Sequence, residues 1–341
     1  MSDLHRLNTQ DIELGTTQVL QRHLTRHVGT ARPISQRRLD FEFARPRLLR
    51  EMAAEATGVF FYVYPGIAAT AAFTVEKGNP AFGSSLTIGL AYCFGIALAI
   101  ITCASTSGGH FNPAITLCFA TWQGFPWRKA PFYIMAQIFG AFAAGLVLMA
   151  QYHEQMASLS HDLAGSGIDG AIATGPASVF ITYWQPSGNG PGWVFLVEFF
   201  VASFIGLVIW AVLDPANPFV TPSAAPFIIG IAYACMVWGF SSFSISTNLA
   251  RDLGCRLVAA MFYGRNAFSY KNYWWIGMFV NIPATFFATG YYELVLRDSL
   301  DRIGLGHAQH EDGDEGLVTH FAKHGLIRDV DIDMRYVRSK S

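Results

Sequence analysis

Residues 107–116 read SGGHFNPAIT, and they interrupt an otherwise apolar chain. The residues before them, Leu86–Cys103, form an unbroken hydrophobic run, and the stretch from Asn112 to Trp122 carries no charge. Two glycines stop a helix, and Asn112 followed by Pro113 starts another. Asn is a preferred N-cap, and Pro is tolerated in the first helical position because the N–H it lacks has no partner there. Eleven residues of helix span roughly 16 Å, about half a membrane. The sequence therefore predicts a helix that begins in the interior of a bilayer.

The surrounding chain has membrane composition. Hydrophobic residues make up 52% of the 341 and charged residues 14%, well below the quarter usual in soluble domains. Nine of the 23 Lys and Arg fall in residues 1–50 and seven in 297–341, which leaves seven for everything between. With a formal net charge of −1, nothing points to nucleic acid. The five Cys form no C-x-x-C pair and read as small core residues. No cleavable signal peptide is visible in the polar, Arg-rich first 48 residues.

Six segments are long enough to span a hydrocarbon core of ~30 Å: Ala53–Phe73, Leu86–Cys103, Ala130–Gln151, Trp193–Leu213, Ala224–Phe243 and Tyr273–Tyr292. Backbone groups in lipid must pair within their own segment, so all six are predicted as helices. Residues 151–192 contain no Lys or Arg, whereas Arg128 and Lys129 open the third span. The positive-inside rule then puts both termini in the cytoplasm and the long loop outside. Three regions follow: a largely disordered arm over 1–48, a membrane domain over 49–297, and a tail over 298–341 containing the acidic HEDGDEG. The arm reads either as a charged anchor on the lipid surface or as a cytoplasmic plug or trafficking signal.

The membrane domain repeats itself over 51–151 and 193–297. Glu55 opens the first span and precedes Asn112-Pro113-Ala114 by 57 residues; Glu198 opens the fourth and precedes Asn248-Leu249-Ala250 by 50. Three spans per half give the halves opposite orientations, a design that puts a solute path at the repeat interface. Two half-helices entering from opposite faces would bring their positive N-terminal ends together at the midplane. Both Asn amides could then donate to a passing solute oxygen, a site that repels cations and admits neutral hydroxyl-bearing molecules. An inverted-repeat secondary transporter and a sealed structural membrane protein are the rival readings. An enzyme is disfavoured, since no nucleophile–base pair or metal cluster lies at membrane depth. Glu55 and Glu198 are open to use as inert buried acids or as a proton relay.

Five stretches, SGGHFNPAIT, NLARDLGCR, EATGVFF, AQIFGAFAAG and VEFFVASFIGLVI, resemble the aquaporin and aquaglyceroporin (major intrinsic protein) family over about residues 48–297. DPANPFVTP at 214–222 and the basic arm are most similar to its fungal branch. The resemblance implies an all-α membrane protein with six transmembrane helices and two re-entrant half-helices. It also implies a homotetramer, one pore per subunit, set in lipid of the plasma membrane, passing water, glycerol and similar neutral solutes without a cofactor or metal. It gives Glu55 and Glu198 a third role, accepting hydrogen bonds from the loops that lead to the Asn residues. Gln137 is implied to pack, and His110 to orient the loop before Asn112. Tyr92, Met236, Ile245 and Arg251 fall at the positions of the family's selectivity filter, with Cys235 or Val237 as alternatives to Met236. Residues 224–247 contain no His, the residue water-selective members place there. Asp252 and Arg256 resemble the glycerol-conducting subgroup, whereas Gly277-Met278 does not. Leu249 stands where the family has Pro, and altered size selectivity with retained conduction is expected from it.

Overall fold

The structure is a computed structural model, and it describes residues 35–297 apart from 77, 78, 80, 82, 185–189, 215, 216, 218 and 241–243. The expectations for residues 1–34 and for the tail at 298–341 lie outside the described residues. Pro46–Arg297 forms one compact unit, and of the residues outside it only 35–45 are described. Those residues correct the expectation of a disordered arm in part, because Gln36–Ala44 is a helix (α1). Ser35 caps it by accepting from Arg38 N, and the pairs Gln36–Asp40 and Arg38–Glu42 are each one turn apart.

Among the described residues the membrane unit is helix and turn, with no strand. The first half contains α2 (Arg47–Val75), α3 (Ser85–Ser107), the half-helix α4 (Pro113–Trp122) and α5 (Ala130–Gln151). A short α6 (His153–Gly165) and a 3-10 turn (Pro176–Val179) structure the long loop. The second half contains α7 (Pro191–Leu213), α8 (Ala225–Phe240), the half-helix α9 (Leu249–Tyr263), a single turn α10 (Asn266–Ser269), α11 (Trp274–Phe279) and α12 (Asn281–Tyr291). Four helices are long and apolar enough to cross a membrane alone, those beginning at Arg47, Ser85, Trp127 and Pro191. The expected fifth span is the 16-residue α8, and the expected sixth is divided into α11 and α12 at Val280. Pro283 explains the division: it cannot donate to Phe279, four residues back, and its ring crowds that carbonyl.

Local chemistry sets the ends. Ser84 and Thr87 form a reciprocal capping box at the start of α3. Gly108, at φ 93°, ends α3 in the left-handed region, where a Cβ would be strained. The two halves then interlock. The half-helix α9 packs on α5, α4 packs on α12, and α3 and α8 pack together at the centre. Each half-helix is thus held by the last span of the opposite half. Polarity is arranged for hydrocarbon outside: Phe94, Leu98, Ile101, Met135, Phe139, Leu196 and Phe200 are exposed, while Glu55, Gln137, Glu198, Asp252 and Arg256 are fully buried.

Candidate functional site: the paired half-helix caps and the outer cavity

The two half-helices begin in the same way. Asn112 Oδ1 accepts from Ala114 N (2.9 Å), and Asn248 Oδ1 accepts from Ala250 N (2.9 Å) and Arg251 N (3.2 Å). Their amide nitrogens cross over: Asn112 Nδ2 donates to the carbonyl of Thr247 (3.1 Å) and Asn248 Nδ2 to that of Phe111 (2.8 Å). Each Asn therefore binds the carbonyl just ahead of the other, which ties the halves together where their positive helix ends meet. Leu249 occupies, buried, the first-turn position that Pro113 holds in α4.

This crossing needs an uncommon backbone. Phe111 and Thr247 have φ values of 51° and 57°, a region costly for residues with a Cβ. A buried carboxylate supports each. Glu55 accepts from Ser107 Oγ (2.6 Å), His110 N (3.0 Å), Phe111 N (2.8 Å) and Gln137 Nε2 (2.7 Å). Glu198 accepts from Ser244 Oγ (2.6 Å), Ser246 N (2.9 Å) and Thr247 N (3.4 Å). Gln137 also donates to Thr116 Oγ1 (2.9 Å), whose hydroxyl lies 3.2 Å from His110 Nδ1. The His110 ring stacks on Phe119 at 4.5 Å, and Gly58 makes room for the Phe111 ring, since a Cβ there would sit 2.0 Å from it.

On the side of the α6 loop lies a cavity of about 940 Å³. Its walls include Tyr92, Ile245 and Arg251, three of the four filter candidates, brought together from α3, the loop before α9, and α9 itself. Met236 is the exception and is corrected here. It packs into the buried core, while Tyr233 and Val237 line the cavity. Those two are four residues apart and share one face of α8, and Met236 is rotated about 100° away from Val237.

Arg251 is held by neutral oxygens. Its Nη1 donates to the carbonyl of Phe180 (3.0 Å) and to Thr182 Oγ1 (3.2 Å), and Nη2 to Tyr92 OH (2.9 Å). Gly66 gives the Tyr92 ring its place, since a Cβ there would lie 2.2 Å from the ring. The nearby acid, Asp252, is taken up by Arg256 through a two-point pair (2.8 and 2.9 Å), both side chains being fully buried. A guanidinium facing a cavity without a bound carboxylate presents positive charge and oriented donors to whatever enters.

Sequence reasoning missed Phe180, Thr182, Tyr62 and Tyr233. The first two sit in a loop with no motif. Tyr62 carried a readable signal, lying seven residues after Glu55 and so on the same helix face. A separate polar cluster joins the ends of α4, α7 and α12, where Glu293 accepts from Gln123 Nε2, Trp210 Nε1 and Arg297 Nη1, and Tyr292 OH donates to Asp214.

Comparison with known proteins agrees with this architecture. The family model described as "Major intrinsic protein" matches residues 42–286. Aquaporin-3 of Laccaria bicolor is 44% identical over 261 residues, covering 75% of this chain and 78% of its own. Aquaglyceroporin-2 of Rhizophagus irregularis is 36% identical over 251 residues, covering 72% and 77%. The X-ray structure of the aquaglyceroporin from Plasmodium falciparum superposes with a TM-score of 0.65 at 22% identity, covering 76% of this chain and 99% of that one, which shows the shared fold. By sequence and by fold, the chain belongs to the major intrinsic protein family.

Proposed function

We propose that the protein is a passive membrane channel for water and small neutral solutes, glycerol among them, and that it excludes ions and protons. The observation that carries this reading is the pair of Asn-capped half-helices meeting end to end beneath a cavity guarded by Arg251. Positive helix ends at the centre and a guanidinium above them oppose cations twice along one path. Tyr92, Val237 and Ile245 offer apolar walls to the carbon skeleton of a polyol, and Arg251 and Thr182 meet its hydroxyls. The absence of His from 224–247 favours glycerol over strict water selectivity.

A coupled transporter is less well supported. Glu55 and Glu198 are the carboxylates that proton coupling would call on, and both are engaged with the N–H groups of the cap loops. We assign Asn112, Pro113, Ala114, Asn248, Leu249 and Ala250 to the midplane, and Tyr92, Val237, Ile245 and Arg251 to the filter. Glu55, Glu198, His110, Gln137 and Asp252 support them. Residues 49–297 are the channel domain, assembled as a homotetramer in the plasma membrane with both termini cytoplasmic.

The test is stopped-flow light scattering on proteoliposomes of the purified protein, in sucrose and then glycerol gradients. Fast shrinkage with fast glycerol re-swelling, both altered by Arg251→Ala, is the expected result. Rates equal to those of protein-free vesicles, from protein that is tetrameric, would overturn the proposal. Uptake driven by a proton gradient would favour the transporter.

A further inference from the structure

Tyr62, Tyr233 and Thr247, the last being the residue before the second cap, line the outer cavity. Tyr62 comes from α2, is 5% exposed, and stands directly over the second cap: Asn248 Nδ2 donates to its hydroxyl at 2.6 Å. The other proton of that amide goes to the carbonyl of Phe111 (2.8 Å). An amide nitrogen has two donors, so Asn248 has none left for a solute. On the opposite side, Asn112 gives one donor to the carbonyl of Thr247. The phenol oxygen of Tyr62 thus stands where the oxygen of a permeating molecule would be bound.

We propose that Tyr62 is a permeability-determining residue, a latch whose hydroxyl stands in for a solute hydroxyl on Asn248 and must be displaced for each molecule that crosses the midplane. The chemistry suits exchange. A phenol that accepts one bond from Asn248 still has its own O–H and a second acceptor site to offer the cavity. An incoming water or polyol can therefore bind Tyr62 first and then take over Asn248, one hydroxyl replacing another. A solute that cannot both donate and accept gains no such route. The backbone of Tyr62 lies in a close helix contact, with Gly95 of α3 so near α2 that a Cβ would lie 3.0 Å from Tyr62 Cα. The latch motion required is therefore a rotation of the side chain, which leaves that contact intact.

The inference rests on the channel reading, and the experiment separates the two. Wild type, Tyr62→Phe and Tyr62→Leu are reconstituted as whole chains, and water and glycerol permeability are measured per tetramer at several temperatures between about 5 and 35 °C. Tyr62→Phe keeps the ring and removes the acceptor, so Asn248 is freed; water permeability is expected to rise about two- to tenfold, the range of one ordinary hydrogen bond, with a lower activation energy. Tyr62→Leu also removes bulk, and glycerol permeability is expected to rise further than in Tyr62→Phe. If wild type conducts and both variants match its rates and activation energies, the latch is overturned and the channel reading stands. If wild type and both variants all behave as empty vesicles, the channel reading fails and the latch with it. A silent wild type with conducting variants would establish the latch in its strongest form.

Discussion

Replacing Glu55 tests whether the first cap loop is held by its carboxylate. The two oxygens of Glu55 receive four donors, Ser107 Oγ and His110 N on one, Phe111 N and Gln137 Nε2 on the other, and the side chain is fully buried. A buried donor left without a partner costs about 1–3 kcal/mol. Glu55→Ala strands all four, a loss of roughly 4–12 kcal/mol, comparable to the entire stability of a typical domain. Glu55→Gln keeps one oxygen. Its new NH2 faces two donors, of which Gln137 can turn to present its own Oε1, a buried atom that has no partner in the wild type. The backbone N–H of Phe111, held at φ 51°, has no such remedy. The expected loss is therefore about 1–3 kcal/mol, or a drop of roughly 2–6 °C in the unfolding midpoint for a domain of about 250 residues. Tryptophan fluorescence during heating of the detergent-purified protein measures it. Glu55→Gln should fold with a lowered midpoint, and Glu55→Ala should yield little or no folded protein. Folded Glu55→Ala protein melting within about 2 °C of wild type would refute the reasoning, because the donors would then be satisfied by something other than the carboxylate.

Three further outcomes follow from the geometry. Asp252→Asn leaves Arg256 fully buried with its charge unopposed, and the loss of about 3–5 kcal/mol should show as a large fall in thermal midpoint, partly recovered in the double change Asp252→Leu with Arg256→Met. Gly66→Ala forces the Tyr92 ring away from Arg251, so the ratio of glycerol to water permeability should change while Asn112 and Asn248 remain capped; an unchanged ratio would show that Tyr92 does not border the filter. Leu249→Pro restores a rigid first turn to α9, and a shift in the same ratio is expected, with an identical ratio counting against any role for Leu249 in selectivity.

The parts of this protein that were legible in its sequence are those dictated by neighbours along the chain. Apolar runs need hydrocarbon, basic residues cluster at their ends, and Asn caps a helix whether Pro113 or Leu249 follows it, so the spans, the inverted repeat and the start of each half-helix could be read one segment at a time. The helix in the arm was hidden by its polar composition, since capping and paired charges rather than apolar periodicity support it. What α8 shows the cavity was not legible either. That helix is apolar on every side, so no stripe distinguishes Met236 from Val237, and only its packing on α3 and α7 decides which faces inward.

The same holds more strongly for contacts between distant residues. Arg251 meets Phe180 and Thr182 from a loop that carries no motif, and Tyr62 meets Asn248 across 186 positions of sequence. Local chemistry can prescribe that an asparagine caps a helix in mid-membrane. Which hydroxyl then takes up its remaining proton depends on how two oppositely oriented halves pack, because that proximity exists only once α2 and α9 have been brought together by the fold.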